Sequence, residues 1–318
     1  MKYKLLFENW KLFVEKENKQ KLPKAKQPQR DIYKKLSPQK KVLKDLVDEE
    51  YSDFVANLQK KIRDEKFQAF LNMGLKPFDG DAEDDKVKVE PDNIPVENLV
   101  PTQSQIGLAD SLGYLSANDP AGAGKIAKLK GSPANVGGRI VVANGRYIID
   151  GHHRWSQVYL LNPKAKIPTF NFTTSNLPDK DPAKGALKLA HIAIAAVDQA
   201  VPLQSADSAT DVYATAGDSD QIRNILNDVI SEKMAEGLMD AYGVESRDEV
   251  LDIVTKNAET LYKETREFAE KGPIRGLMPQ TTQISPAMKK LSQLKLGATN
   301  WNGKDNREPQ PKKAKKKE

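Results

Sequence analysis

The segment RIVVANGRYIIDGHHRW, residues 139–155, restricts the fold more than any other part of the chain. Two apolar, β-branched runs flank Asn144-Gly145, and Asn-Gly between such runs is the strongest short-range signal for a β-hairpin. The second run ends at Asp150-Gly151, and a helical pattern follows at once. The sequence therefore predicts a hairpin whose second strand leads through a glycine turn directly into a helix.

The first turn of that predicted helix concentrates side chains that bind anions: His152, His153 and Arg154. The leading N–H groups of a helix lack intrahelical partners, the helix dipole adds positive charge there, and a guanidinium can hold a phosphate through two hydrogen bonds. We therefore expect a phosphate site at residues 150–154. The same pattern also fits a helix that Asp150 caps while the other side chains face water.

Each residue of the turn has an expected role in phosphate binding. Gly151 permits the sharp bend, and Arg154 holds the phosphate. His152 and His153 also bind it and are catalytic candidates for proton transfer, because histidine titrates near neutral pH. Asp150 is the third catalytic candidate and the candidate magnesium ligand.

The surrounding pattern predicts a small α/β (α+β) core over residues 94–172. A short strand and a helix are expected within 94–115, followed by a glycine-spaced loop over 120–138. The hairpin, the helix after Gly151 and a last strand over 166–172 complete it. The predicted order is strand, helix, hairpin, helix, strand.

Helical patterns flank this core on both sides. Residues 1–77 are predicted to form a basic N-terminal helical extension with a linker, including a longer helical stretch over about 38–73. Residues 78–93 form an acidic linker, 173–300 an all-helical C-terminal region, and 301–318 a disordered basic tail. Further helices are expected at about 3–14, 182–200, 218–242, 246–271 and 284–296, with Asp218 and Ser246 as N-caps.

Charge is distributed unevenly along the chain. Residues 1–44 hold 14 Lys and Arg against 4 Asp and Glu, a net +10, and residues 302–318 hold 7 against 3, a net +4. The total of +6 therefore leaves −8 for residues 45–301. Basic ends around an acidic centre suit contact with DNA, although solvated termini that keep the protein in solution fit the same pattern.

Composition excludes several classes of chemistry. The chain has no cysteine, which rules out disulfides, a thiolate nucleophile and cysteine-based zinc sites. The opening residues lack the continuous apolar stretch of a signal peptide, and the most apolar later run, 186–197, is too short to span a bilayer. That run includes His191, which we expect in the core or in an interface. We expect a cytoplasmic protein without membrane contact.

The stretch PAGAGKIA contains Gly124-Lys125 but does not have the spacing of a P-loop. A P-loop requires a glycine five residues before that glycine and a serine or threonine after the lysine. Asp119 and Ile126 occupy those positions. The sequence therefore gives no support for a P-loop nucleotide site.

The string IIDGHHRW, with the Asn-Gly hairpin before it and PVENLVPTQ about 50 residues upstream, resembles the ParB/sulfiredoxin superfamily. It is most similar to the ParB-like nuclease-domain branch, whose phosphate-binding box often reads D-G-H-H-R. The resemblance covers residues 94–172 and implies phosphate or nucleotide recognition by residues 150–154. It also implies that Pro101, Thr102 and Gln103 approach the ligand, and that Mg²⁺ and a nucleoside triphosphate (CTP or ATP) are cofactors.

The chain departs from other branches of that superfamily. Sulfiredoxin chemistry requires a cysteine in the box, and the chain has none. The branch of free serine kinases uses a glutamate near the first strand as general base, where this chain has Gln103 and only Glu97 as an upstream substitute. Chromosome-partitioning proteins continue into a helix-turn-helix domain, and the helices after residue 173 carry no clear signature of one.

Three functions stay open. The leading hypothesis is a ParB-like phosphate- or nucleotide-binding protein that acts on or with DNA, as a nuclease or an NTP hydrolase. The alternative is a small-molecule kinase or NTPase of the free amino acid type, without nucleic acid. The third is a non-catalytic phage scaffold or virion-associated protein that self-associates through its C-terminal helices, because the opening residues are similar to amphipathic leaders of phage-encoded proteins.

Overall fold

The computed structural model describes residues 38–73, 87–174, 177–203 and 218–279, and this part of the chain is a mixed α/β protein. It contains ten α-helices and one four-stranded sheet. In chain order they are α1 (Pro38–Val47), α2 (Tyr51–Lys61), α3 (Glu65–Met73), β1 (Lys88–Pro95), α4 (Leu108–Asn118), α5 (Pro120–Ala127), β2 (Ile140–Ala143), β3 (Tyr147–Asp150), α6 (His152–Leu161), β4 (Lys166–Thr173), α7 (Pro182–Asp198), α8 (Ser219–Val229), α9 (Glu232–Tyr242) and α10 (Arg247–Lys271).

The sheet has the strand order β1-β4-β2-β3. β4 pairs antiparallel with β1 and parallel with β2, while β2 and β3 form an antiparallel hairpin. Asn144 and Gly145 at its tip have φ angles of 51° and 66°, and this left-handed pair of residues is what a type I′ turn requires. The hairpin predicted from Asn-Gly is confirmed.

Helices cover both faces of the sheet. Along β2, Ile140 and Val142 pack into one apolar cluster with α4–α6 and α8–α10, whereas Val141 and Ala143 pack into another with α1–α3 and α7. The alternation follows from the strand period of two residues. Both helical flanks therefore share cores with the sheet, while the limits of 94–172 as a separate domain stay a prediction.

The helical stretch expected over 38–73 is confirmed, and it is divided into three helices. After α1, the buried Lys188 of α7 donates from Nζ to the carbonyl oxygens of Val47, at 2.6 Å, and Glu49, at 2.8 Å. Before α3, Asp64 Oδ1 accepts from the N–H of Lys66 at 2.7 Å. These contacts satisfy helix-end groups that a continuous helix would have paired internally.

The single helix expected over 218–242 is also divided, between α8 and α9. Arg247 of α10 donates from Nη2 to the carbonyl oxygens of Asn227, at 2.6 Å, and Ile230, at 2.7 Å. A distant arginine thus satisfies the last carbonyls of α8, and the chain starts a new helix at Glu232.

Two elements of the predicted core differ from expectation. β1 begins at Lys88, inside the stretch assigned to the acidic linker, and ends at Pro95. The glycine-spaced loop contains helix α5, because Pro120 occupies its first turn and the Asp119 side chain accepts from the N–H of Gly122. Gly124 faces α9, where an added Cβ would lie 2.6 Å from the carbonyl oxygen of Gly237.

Other predictions are confirmed or fall outside the described ranges. Asp218 and Ser246 cap α8 and α10, and the helix after Gly151 is α6. The helices expected at 3–14 and 284–296 and the tail 301–318 lie outside the described residues. Within the described residues, no helix combines the length and apolar character needed to cross a membrane.

Candidate functional site

The candidate site is the turn between β3 and α6. Gly151 has a φ of 94°, and a Cβ added there would lie 2.4 Å from Cγ2 of Ile140. Both the left-handed backbone and the close approach require glycine. Helix α6 then begins without a side-chain cap and without an acidic residue in its first turn.

The position of α6 is fixed by the next residue that faces the core. Trp155 is fully buried, and its Nε1 donates to the carbonyl oxygen of Val96 at 2.9 Å. A buried tryptophan whose N–H is hydrogen-bonded fixes the rotation of its helix about the helix axis, because both the apolar packing and the hydrogen bond depend on that rotation. The N-terminus of α6 is therefore presented in one orientation at the end of β3.

A cavity of about 200 Å³ lies at this turn. This volume is smaller than the 300–1,000 Å³ typical of sites that enclose a whole small molecule, so it suits a group of phosphate size. Its lining comes from three separate parts of the chain: Gln103, Ile149, Asp150, Gly151, His152, His153, Arg154, Arg275 and Met278.

Asp150 and Arg154 form an ion pair in the cavity wall. Arg154 Nη2 lies 3.1 Å from Asp150 Oδ2, and Arg154 Nη1 donates to the carbonyl oxygen of Arg139 at 3.2 Å. Burial raises the pKa of Asp150 to about 6, although Arg154 and the N–H of Gly151 act in the opposite direction. The carboxylate is therefore mostly ionised at neutral pH but titrates close to it.

His152 is buried and links the turn to the segment after β1. Its Nε2 accepts from the N–H of Thr102 at 3.1 Å, so the ring is neutral with its proton on Nδ1. Burial, together with smaller contributions from His153 and Arg275, lowers its pKa to about 3. This geometry suits positioning of the turn better than the proton transfer expected from sequence.

Thr102 supports the same link without lining the cavity. It is buried, and its Oγ1 donates to the carbonyl oxygen of Ile148 at 2.5 Å. Its neighbour Gln103 does line the cavity, with its Nε2 hydrogen-bonded to the carbonyl oxygen of Gln105. Of the three residues that the resemblance placed near the ligand, Pro101, Thr102 and Gln103, only Gln103 is among the cavity-lining residues, and Thr102 instead holds His152.

Arg275 is a cavity residue that the sequence did not reveal. It lies in a 3-10 turn, Arg275–Leu277, and its guanidinium contacts Nε2 of His153. It is separated from Arg154 by more than a hundred residues and belongs to no recognisable motif. Only the packing of α10 and the segment after it brings this arginine to the turn.

No protein-family model, curated protein or solved structure matches this chain. The resemblance of the DGHHR box to the ParB-like branch therefore stays a prediction. The chemistry of the site is interpreted from the geometry of its own residues.

Two charged residues outside the turn are paired elsewhere. Glu97, the substitute base of a kinase mechanism, pairs with Lys164 Nζ at 2.5 Å and is not among the cavity-lining residues. Lys128, which lies just after α5 in the predicted loop 120–138, pairs with Asp240 of α9. Neither residue lines the cavity, whose polar side chains are those of Gln103, Asp150, His152, His153, Arg154 and Arg275.

The cavity does not form a metal site by itself. Among the described residues that line it, Asp150 is the one carboxylate, and its Oδ2 is shared with Arg154. Among the residues that the structure describes, no group of three His, Cys, Asp or Glu could hold a metal ion. A magnesium ion at this turn would need most of its ligands from bound phosphate and water.

Proposed function

We propose that the β3–α6 turn binds a phosphate group of a nucleotide, and that the protein is a ParB-like nucleotide-binding protein acting on or with DNA. The observation that carries this proposal is an N-terminal helix end that has no capping side chain and is flanked by Arg154 at a phosphate-sized cavity. An anion there is stabilised by the helix dipole, by the leading N–H groups of the helix and by a guanidinium.

The cavity admits a phosphate but not an entire nucleotide, so the sugar and base would lie outside it. Arg154 would orient the phosphate while Asp150 holds the guanidinium in place at 3.1 Å. His152 would keep the turn attached to Thr102. These contacts position the ligand before any bond is broken, which is how most phosphoryl-transfer sites lower their barrier.

A hydrolytic step, as nuclease or NTP hydrolase, would need a proton acceptor beside the bound phosphate. Asp150 and His153 line the cavity and are the two candidates, since His152 is neutral and committed to the N–H of Thr102. Mg²⁺, where present, supplies charge neutralisation of the phosphates. It would be held mainly by those phosphates, with Asp150 as the side-chain ligand.

DNA is proposed as the partner on the basis of charge. The basic ends, +10 over residues 1–44 and +4 over 302–318, flank an acidic centre. Contacts between basic residues and DNA phosphates weaken steeply with salt. Affinity for duplex DNA at several salt concentrations, with and without residues 302–318, would test this part of the proposal independently of the cavity.

The test of nucleotide binding is calorimetric titration of ATP, CTP and GTP, each with Mg²⁺, into the wild-type chain and into Arg154→Ala. We expect one nucleotide to bind, and the variant to weaken it by about 10-fold to 100-fold, because a hydrogen bond to a charged group contributes about 1.5–3 kcal/mol. Arg266→Ala, at an exposed arginine of α10, is the matched control. Absence of binding by the wild type, or equal binding by Arg154→Ala, would refute the proposal.

A further inference from the structure

The segment that follows α10, residues 272–278, closes one side of the cavity; it is called the closing segment below. It contributes Arg275 and Met278 to the cavity lining. It is attached to the loop after β1 by three hydrogen bonds. The N–H of Ser104 and its Oγ donate to the carbonyl oxygen of Pro273 at 2.9 and 3.2 Å, and the N–H of Arg275 donates to Oε1 of Gln105 at 3.3 Å.

Gly272 allows the closing segment to approach that loop. A Cβ at this position would lie 2.7 Å from the carbonyl oxygen of Thr102 and 2.9 Å from the carbonyl carbon of Gln103. Real Cβ contacts of this length do not occur, and the obstructing atoms are backbone. Any side chain at residue 272 must therefore push the closing segment away from the turn.

The other end of the closing segment is held by helices α2 and α7. The carbonyl oxygen of Leu277 accepts from Tyr51 Oη of α2 and from His191 Nε2 of α7, both at 3.2 Å. Tyr51 and His191 are themselves 2.9 Å apart and buried. Hydrogen bonds at both ends of the closing segment therefore fix the position of the 3-10 turn that carries Arg275.

We propose that Arg275 is a second phosphate-contacting residue of this site and that Gly272 positions it. This inference rests on the proposed function. Arg275 touches His153 in the first turn of α6, so its guanidinium lies beside the same helix end as Arg154. Two guanidinium groups share a small cavity with one carboxylate, and a bound anion relieves their mutual repulsion.

The proposal makes the site composite. Arg154 comes from the hairpin-to-helix turn, whereas Arg275 comes from the C-terminal helical region, and each is oriented by separate contacts. A phosphate bound between them would receive donors from two parts of the fold. Arg275 acts on the ligand directly, while Gly272 acts only through the position of the closing segment.

The experiment uses the full chain and four variants: Arg275→Ala, Arg275→Lys, Gly272→Ala and the double variant Gly272→Ala/Arg275→Ala. Inorganic phosphate and ATP, CTP and GTP with Mg²⁺ are titrated by calorimetry, with the unphosphorylated nucleosides in parallel. Arg154→Ala is the reference for loss of the site, and Arg266→Ala is the control for loss of an arginine outside it. Circular dichroism and thermal unfolding verify that each variant folds.

We expect Arg275→Ala to weaken binding of the phosphorylated ligand by about tenfold or more, with no effect on the nucleoside, and Arg275→Lys to recover part of the loss. Gly272→Ala should weaken the same ligand. In the Arg275→Ala background it should cause no further loss, because a residue that acts only through Arg275 has nothing left to position. A purely structural role of residue 272 would instead give additive losses.

Two results overturn the proposal, and they are distinguishable. If Arg154→Ala abolishes binding while Arg275→Ala binds within about twofold of the wild type, Arg275 does not contact the phosphate and the proposed function stands. If the wild type binds neither inorganic phosphate nor any nucleotide, the proposed function and this inference both fail. Additive losses in the double variant overturn the positioning role of Gly272 alone.

Discussion

Helices α6 and α10 begin in opposite ways. Helix α10 starts with a complete capping box, in which the N–H of Glu249 donates to Oγ of Ser246 at 3.3 Å and Oε2 of Glu249 accepts from the N–H of Ser246 at 3.0 Å. Helix α6 starts at a left-handed glycine, without a capping side chain. Side-chain oxygens of the chain itself cap the N-terminus of α10, whereas no side chain caps the N-terminus of α6.

The contrast extends to the rest of the described chain. From α2 to α10, every helix except α6 has either a capping side chain or an acidic residue in its first turn. Such residues complement the positive end of the helix dipole. In α6 the first turn carries Arg154 instead, and Asp150, just before it, pairs with that arginine. Among α2 to α10, the helix without a capping side chain or an acidic residue in its first turn is therefore the one that begins at the cavity.

Gly151→Ala should have the largest effect on the α6 side of this comparison. The left-handed conformation costs a non-glycine residue about 1–2 kcal/mol, and the clash with Ile140 adds overpacking of about 1–3 kcal/mol. We expect the free energy of unfolding to fall by about 3 kcal/mol, measured by urea denaturation. Gly243→Ala, at a φ of 70° with open space around it, should show only the conformational part.

An ordinary helical glycine is the second control for that measurement. Gly113 lies inside α4, and nothing lies within 4 Å of the position its Cβ would take. Gly113→Ala should leave stability unchanged or raise it by about 0.5–1 kcal/mol. Equal losses of unfolding free energy in all three glycine variants would show that neither the left-handed backbone nor the contact with Ile140 requires glycine at position 151.

Asp150→Asn should have the next largest effect, and one that depends on pH. Burial raises the pKa of Asp150 to about 6, so between about pH 4 and pH 6 the folded state binds more protons than the unfolded chain. Its destabilising contribution is absent below this window and fully present above it. We expect Asp150→Asn to raise the free energy of unfolding by about 2 kcal/mol at pH 7.5 and to have little effect near pH 4.

Urea denaturation of the wild type and Asp150→Asn across this pH range measures the difference. Asp240→Asn, at an exposed aspartate of α9, is the control for removal of a surface charge. A stability difference that does not vary between pH 4 and pH 7.5 would mean that Asp150 does not titrate in this window. The carboxyl of Asp150 would then be better solvated than its burial in the structure indicates.

Ser246→Ala should have the smallest effect and should act only on the α10 side. Loss of a serine cap costs about 1 kcal/mol, and nothing in the capping box reaches the cavity. We expect urea denaturation to show this loss with no change in nucleotide affinity. Ser231→Ala is the matched control, because Ser231 precedes α9 without making a side-chain capping bond. A change in nucleotide affinity on Ser246→Ala would contradict the view that the cap of α10 acts on stability alone.

Local sequence predicted the elements that need few distant partners. The hairpin followed from Asn144-Gly145, the turn into α6 from Gly151, and the starts of α8 and α10 from Asp218 and Ser246. In each case the information lies in residues close along the chain, because turn conformation and capping are local. Six of the eight residues predicted to form the site line one cavity, and five of these six are consecutive in the sequence.

The errors came from contacts between distant residues. The break after α1 depends on Lys188, and the break after α8 depends on Arg247. In both cases a basic side chain from another helix donates to the carbonyl oxygens at the C-terminal end of the helix, and no pattern in the neighbouring sequence predicts this contact. The kinase base considered at Glu97 likewise depended on proximity, and the structure pairs that residue with Lys164 instead.

The sequence by itself determined the strand, the left-handed glycine and the helix start that carries His152, His153 and Arg154, because short-range sterics and helix-end hydrogen bonding specify them. Tertiary structure decided what that helix end faces. It buried His152 against Thr102, which keeps the ring neutral, and it brought Arg275 to the cavity. Burial and proximity across a hundred residues depend on how the layers pack, and packing is a property of the whole fold.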